Sequence, residues 1–185
     1  TNGGTSWTTN TDNLPVTGFG DHAFDPTNTN IMYAATGDGD AGDSNCTGVY
    51  KSTDGGNTWV LTSLTFPVTS SVRIRRLIVN PTNPQIVMAV GTMGIRRSTD
   101  GGTTWTSVST TNTYDIEFKP GDPNTVYAGG TTFRRSTDGG VTWAVIAGVP
   151  ATGTSNRLAI AVTVADPNSV YVLASNSSGS GFLGF

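Results

Sequence analysis

Asp38, Asp40 and Asp43 lie two and three residues apart, interleaved with Gly37, Gly39 and Gly42. Alternating oxygen ligands on tightly curved backbone suit a hard cation, so a Ca²⁺ site is one expectation for this stretch. It lacks the bidentate glutamate and the twelve-residue spacing of a helix–loop–helix calcium loop. The same carboxylates could serve glycoside hydrolysis, which needs two facing groups about 5 to 10 Å apart. Arg73 and Arg75, two residues apart at the start of an apolar run, would share one face of a strand and could hold a carboxylate-bearing sugar. His22 is the only histidine and Cys46 the only cysteine. Multi-histidine metal sites and an internal disulfide are thereby excluded, and a Ser–His–Asp triad has little support.

The elements that position these residues follow from composition. Among 185 residues there are one glutamate, one glutamine and two lysines, while Thr, Ser, Asn and Gly fill the polar positions. Helix formers are therefore scarce, and β-branched and aromatic residues favour strands. With 24 glycines and 9 prolines to make tight turns, an all-β fold of short strands is expected. A net charge of −3 and the absence of any basic run argue against nucleic acid as a partner. No apolar run is long enough for a transmembrane helix. The chain opens on Thr1 rather than Met, so an export signal upstream is compatible with it.

Two repeats organise the chain. Ser52-Thr53-Asp54-Gly55-Gly56-Asn57-Thr58-Trp59 recurs as Ser98-Thr99-Asp100-Gly101-Gly102-Thr103-Thr104-Trp105 and as Ser136-Thr137-Asp138-Gly139-Gly140-Val141-Thr142-Trp143. A degenerate form, Asn2-Gly3-Gly4-Thr5-Ser6-Trp7, opens the sequence. Out of phase with these, Asp25-Pro26, Asn80-Pro81, Asp122-Pro123 and Asp166-Pro167 each precede an apolar strand. The proline motif reads as a turn between strands. The S-T-D-G-G-x-T-W unit reads as a hairpin whose carboxylate accepts backbone N–H groups, whose glycines take positive φ, and whose Trp packs inward. Successive aspartates, 46 and then 38 residues apart, fit one four-stranded propeller blade per repeat.

These residues resemble the Asp-box (BNR-like) repeat, whose pattern is S-x-D-x-G-x-x-W; its residues here are Ser52, Asp54, Gly56, Trp59, Ser98, Asp100, Gly102, Trp105, Ser136, Asp138, Gly140 and Trp143. The resemblance implies a β-propeller, as in xyloglucan-degrading glycosidases and sortilin-type receptors. The stretch from Tyr33 to Asp54 is also similar to propellers of exported Bacteroidetes proteins that carry type IX secretion sorting domains. A sialidase would need an Arg-Ile-Pro motif and a Tyr–Glu pair; Val72-Arg73-Ile74-Arg75-Arg76 lacks the proline, and the only glutamate, Glu117, sits on an interior strand.

The expected architecture is one partial propeller spanning residues 1–185. An outer strand of a preceding blade occupies 1–10 around Trp7 to Thr9, full blades cover 19–62, 73–108 and 113–146, and a partial blade covers 157–185. Closure into a four-bladed ring, with the first strand completing the last blade, is the alternative. The basic pairs Arg96-Arg97 and Arg134-Arg135, just before the Ser of a box, read as a pattern between blades. Asp boxes and Pro turns fall at one end, so function is sought among the unequal loops of the other. The expected function is a non-catalytic, secreted or cell-surface module that binds a glycan or extracellular protein, with further domains of the parent chain as partners. The competing expectation is a xyloglucanase-like glycoside hydrolase whose site is partly supplied elsewhere.

Overall fold

The computed structural model describes residues 3–15, 18–39, 43–149, 155–176 and 182–184. Among them there is no helix, so none is long and apolar enough to cross a membrane. Strands β1 (Phe19–Asp25), β2 (Asn28–Thr36), β3 (Gly48–Ser52) and β4 (Val60–Thr65) form one antiparallel sheet in chain order. Two more four-stranded sheets follow: β5 (Ile74–Val79), β6 (Val87–Gly91), β7 (Gly94–Ser98), β8 (Thr106–Ser109), then β9 (Thr113–Lys119), β10 (Asp122–Gly130), β11 (Phe133–Ser136), β12 (Ala144–Val145). A three-stranded sheet, β13 (Ser155–Thr163), β14 (Asp166–Asn176) and β15 (Phe182–Gly184), ends the series. The first strands of successive sheets, β1, β5, β9 and β13, pack beside one another. The sheets are therefore radial blades, with these strands innermost.

Local chemistry explains the hairpins. In each box the Ser hydroxyl donates to the Asp carboxylate (Ser52 to Asp54 at 2.8 Å, Ser98 to Asp100 at 2.8 Å, Ser136 to Asp138 at 2.7 Å) and accepts the N–H of the second glycine. The carboxylate in turn accepts the backbone N–H and the hydroxyl of Thr58, Thr104 or Thr142. Both glycines of every box take positive φ, 68° and 86° at Gly139 and Gly140. At the Pro turns Asp25, Asn80, Asp122 and Asp166 accept backbone N–H groups two residues on in the same way. The hairpin reading of the Asp box and the Asx reading of the Pro turn both describe what is found.

Blades pack face to face through three separate apolar clusters. Tyr33, Ala35 and Val49 of the first blade meet Leu77, Val87 and Ala89 of the second. Ile78, Met88 and Val90 of the second meet Ile116, Val126 and Ala128 of the third. Tyr127 and Phe133 of the third meet Leu158, Ile160, Val172 and Ala174. Trp105 and Trp143 each pack back onto the preceding cluster.

The outer strand expected around Trp7 to Thr9 is not formed among the described residues: residues 7–9 pair with no described strand, and Trp7 is 88% exposed. The last sheet has three strands, as expected of the partial blade over 157–185, and the alternative of a four-bladed ring does not form among the described residues.

Ser98 is fully buried, so Ser98→Ala leaves the Gly102 N–H without its acceptor. A loss of about 1–3 kcal/mol in urea unfolding is expected. Hydrogen bonds from the Thr side chain, the Thr amide and the Ser hydroxyl hold the Asp54 and Asp100 carboxyls down at about 2, and Asp138 well below the usual range. Their stabilisation is fully present above the ordinary value of 3.8 and is lost as pH falls through the lowered values. Circular dichroism melts between about pH 4 and pH 2 should show a progressive fall in Tm, shallower in the Asp54→Asn, Asp100→Asn double variant.

Candidate functional site

At the end of the blades opposite the Asp boxes, all four innermost strands contribute to one cavity of about 480 Å³. Phe19 and Gly20 come from β1, Arg75 and Arg76 from β5, Tyr114 and Asp115 from β9, and Arg157 and Ala159 from β13. Asp38 and Gly39, from the loop joining β2 to β3, reach its rim. Thr36 fixes the base of that loop: its hydroxyl accepts the N–H of Thr47 and Gly48 and donates to the Gly48 carbonyl at 2.8 Å. Gly37, with φ of 92°, lets the chain pass where a Cβ would stand 2.9 Å from the Cys46 Cα.

One wall is cationic and aromatic. The Arg75 guanidinium lies 3.8 Å from the centre of the Tyr114 ring, and that of Arg157 lies 5.5 Å from it. Arg75 also donates to the Gly39 carbonyl at 3.0 Å and to Asn112 Oδ1 at 2.6 Å, which ties the rim loop to β9. The other wall is an ion cluster. Arg76 faces Asp21 at 3.5 Å, Asp115 at 3.4 Å and Glu117 at 2.8 Å, joining three blades at the axis. Asp21 further accepts the Leu77 N–H and Asp115 the Ile160 N–H, both at 2.7 Å, so each carboxylate reaches the innermost strand of the next blade. Burial pushes the Glu117 carboxyl up, against the opposing pull of Arg76.

The sequence-selected residues are divided by this geometry. Arg73 and Arg75 do not share a site: Arg75 lines the axial cavity, whereas Arg73, preceding β5, lines a separate cleft of about 130 Å³ with Ser44, Asn45 and Ser70. The strand begins only at Ile74, so the period-two rule does not govern Arg73. Asp38 is at the axial rim, Asp43 is exposed farther along the loop, and Asp40 lies outside the described residues. Among the described residues no three His, Cys, Asp or Glu side chains come together as a metal site. Cys46 is buried, which pushes its thiol up and away from nucleophilic use. His22 is exposed on the first blade, edge-on to Phe24 at 5.4 Å. Arg76, Tyr114 and Arg157 were not singled out by spacing; the available signal was the charge of residues at matching innermost-strand positions, Asp21, Arg76 and Asp115.

Neither a protein-family model nor a curated protein sequence matches the chain. Solved structures do. The xyloglucanase of glycoside hydrolase family 74 from Xanthomonas campestris superposes with a TM-score of 0.62 at 17% identity, over 90% of this chain and 30% of that one. The Niastella koreensis family 74 enzyme gives 0.57 at 23%, over 90% and 30%. YCF48 from Cyanidioschyzon merolae gives 0.56 at 16%, over 91% and 53%. The fold is a β-propeller. The chain spans roughly a third to a half of the length of these propeller proteins, a part of such an architecture, as three full blades and a fourth incomplete sheet require.

Arg76→Met should leave three carboxylates facing one another without a counter-ion. Arg76 is 39% exposed, so the loss is set at about 1–3 kcal/mol at neutral pH. Burial holds the Glu117 carboxyl above its ordinary value of 4.5, so the loss should shrink as pH falls through that region and Glu117 takes up its proton; chemical denaturation of both proteins at pH 7 and pH 3.5 measures it.

Proposed function

We propose that this chain is a non-catalytic propeller module of a secreted or cell-surface protein, binding a glycan or a segment of an extracellular protein at the axial cavity. The observation that carries the reading is the commitment of the carboxylates on the innermost strands. Asp21, Asp115 and Glu117 are engaged by Arg76, and the first two also by backbone N–H groups. A glycosidase needs one carboxyl free to give a proton and a second facing it as base or nucleophile. Here the carboxylates serve as struts between blades. The guanidiniums of Arg75 and Arg157, flanking Tyr114, offer donors suited to hydroxyl, carboxylate or peptide-carbonyl acceptors.

The hydrolase reading is favoured by the family 74 superpositions, and its missing carboxylates would have to come from outside these residues. Calorimetric titration with xyloglucan oligosaccharides and with oligogalacturonates, followed by chromatography of the recovered sugar, separates the two. Saturable binding without new reducing ends, weakened roughly tenfold or more by Tyr114→Ala together with Arg157→Ala, is the expected result. Release of shorter oligosaccharides would establish the hydrolase instead.

A further inference from the structure

Ser44 and Asn45, from the loop joining β2 to β3, and Ser70 to Arg73, from the connection between β4 and β5, line the small cleft at the same end of the blades as the axial cavity. Its lining comes entirely from the first blade and its connection to the second. Hydroxyls, a carboxamide and a guanidinium make it up, with Val72 the one apolar side chain and no carboxylate. Asp43, next to Ser44, is exposed and outside it.

Two groups here lack partners. The Arg73 side chain is partly buried yet makes no hydrogen bond or ion pair among the described residues, whereas those of Arg75, Arg76, Arg96 and Arg97 each make one. The Ser70 hydroxyl oxygen is shut off from solvent and has no hydrogen-bond partner. Leaving a buried hydroxyl unpaired is unfavourable unless something other than the protein completes it. The backbone around both groups is fixed. Thr92 holds Arg73 twice, its hydroxyl accepting the Arg73 N–H at 2.9 Å and its own N–H donating to the Arg73 carbonyl at 3.0 Å. Gly91 leaves that carbonyl room, since a Cβ there would stand 1.8 Å from it. The Ser70 N–H closes a turn on the Pro67 carbonyl at 2.8 Å, and the Phe66 N–H donates to the Thr47 carbonyl, pinning the connection to the base of the loop across the cleft. The donors are therefore arrayed before a ligand arrives.

A guanidinium fork with hydroxyl and amide donors matches the oxygens of a carboxylate or a sulfate ester. One cation balances one negative charge, whereas a phosphate monoester, near −2, would leave an excess. At about 30 Å³ per water the cleft has room for roughly four, the size of one such group rather than of a whole sugar ring. Its hydroxyl-rich lining suits a sugar acid better than an acidic peptide, whose recognition also draws on apolar pockets for neighbouring side chains. We propose that this cleft is an anion subsite for the carboxylate of a uronic acid or the sulfate ester of a sulfated sugar, so that the ligand of this end of the propeller is an acidic glycan. The assignment rests on the glycan reading of this end and names its class.

Heteronuclear NMR of the 185-residue chain, following backbone amides and arginine Nε–H groups, tests it by titration with methyl glucuronide, glucose sulfate, methyl glucoside and an acetylated, amidated glutamate. The expected result is saturable shifts at Ser70, Ser71 and Arg73 with an acidic sugar, at a Kd about tenfold or more below that of methyl glucoside; the better of the two acidic sugars tells carboxylate from sulfate. Shifts confined to Tyr114 and Arg157 would overturn the subsite and leave the axial reading standing. Shifts confined to Ser70, Ser71 and Arg73 would support the subsite and remove the axial cavity as the binding place. No response to either acidic sugar, or an equal response to methyl glucoside or to the glutamate derivative, would refute the proposal. Arg73→Gln should weaken the acidic sugar about tenfold or more without lowering Tm, because no protein group loses a partner. Ser70→Ala should weaken it a few fold and leave Tm unchanged or raised, because the hydroxyl removed is unpaired. Lower Tm with unchanged affinity in these variants would make both residues structural and overturn the assignment.

Discussion

The Asp box is the constraint on which the rest rests. A hairpin that reverses direction within a few residues leaves several N–H groups pointing into the turn, and they must find acceptors. Here one carboxylate and one hydroxyl take them, and the glycine pair supplies the only backbone path that lets them converge. Because the turn is rigid, its outward carbonyl sits at a fixed place on the blade surface. The preceding blade then docks by aiming Tyr33 and Lys51, or Arg97, at that carbonyl. Local turn chemistry thus becomes the ruler that spaces blades.

Much of this was legible in the chain because repetition multiplies weak signals. A single Ser-Thr-Asp-Gly-Gly is an ordinary turn, whereas three with Trp at the same offset fix hairpin, phase and strand count. The basic pairs before Ser98 and Ser136 were readable as a pattern between blades, and Arg97 acts in that way; Lys51, before Ser52, does the same without having been singled out. Around Trp7 the glycine turn was legible because it is local, whereas the pairing that would make residues 7–9 an outer strand is not found among the described residues.

The axial cavity was harder to see for a related reason. Its residues come from four strands far apart in sequence, and each position differs in type from blade to blade. Asp21, Arg76 and Asp115 share a place in successive blades, yet their meaning arises only when the ring brings opposite charges together. The Arg73–Arg75 pair drew attention through spacing, but spacing has force only inside a strand, and the strand starts between them. Tyr114 gains its role from Arg75 and Arg157, neither of which is near it in sequence.

The three apolar clusters between blades are separate, each shared by two adjacent blades and no others. Stability in such an array behaves as a row of nearest-neighbour couplings rather than as one cooperative core. Damage at one junction would therefore stay local, letting an end blade fray while its neighbours hold, and native-state hydrogen exchange would rank the blades by how many neighbours each has. The axial ion cluster around Arg76 is the exception, since it ties together three blades at a single point. A molecule occupying the cavity beside it would stiffen several couplings at once, making the mouth of the propeller a place from which ligand binding can be felt along the whole row.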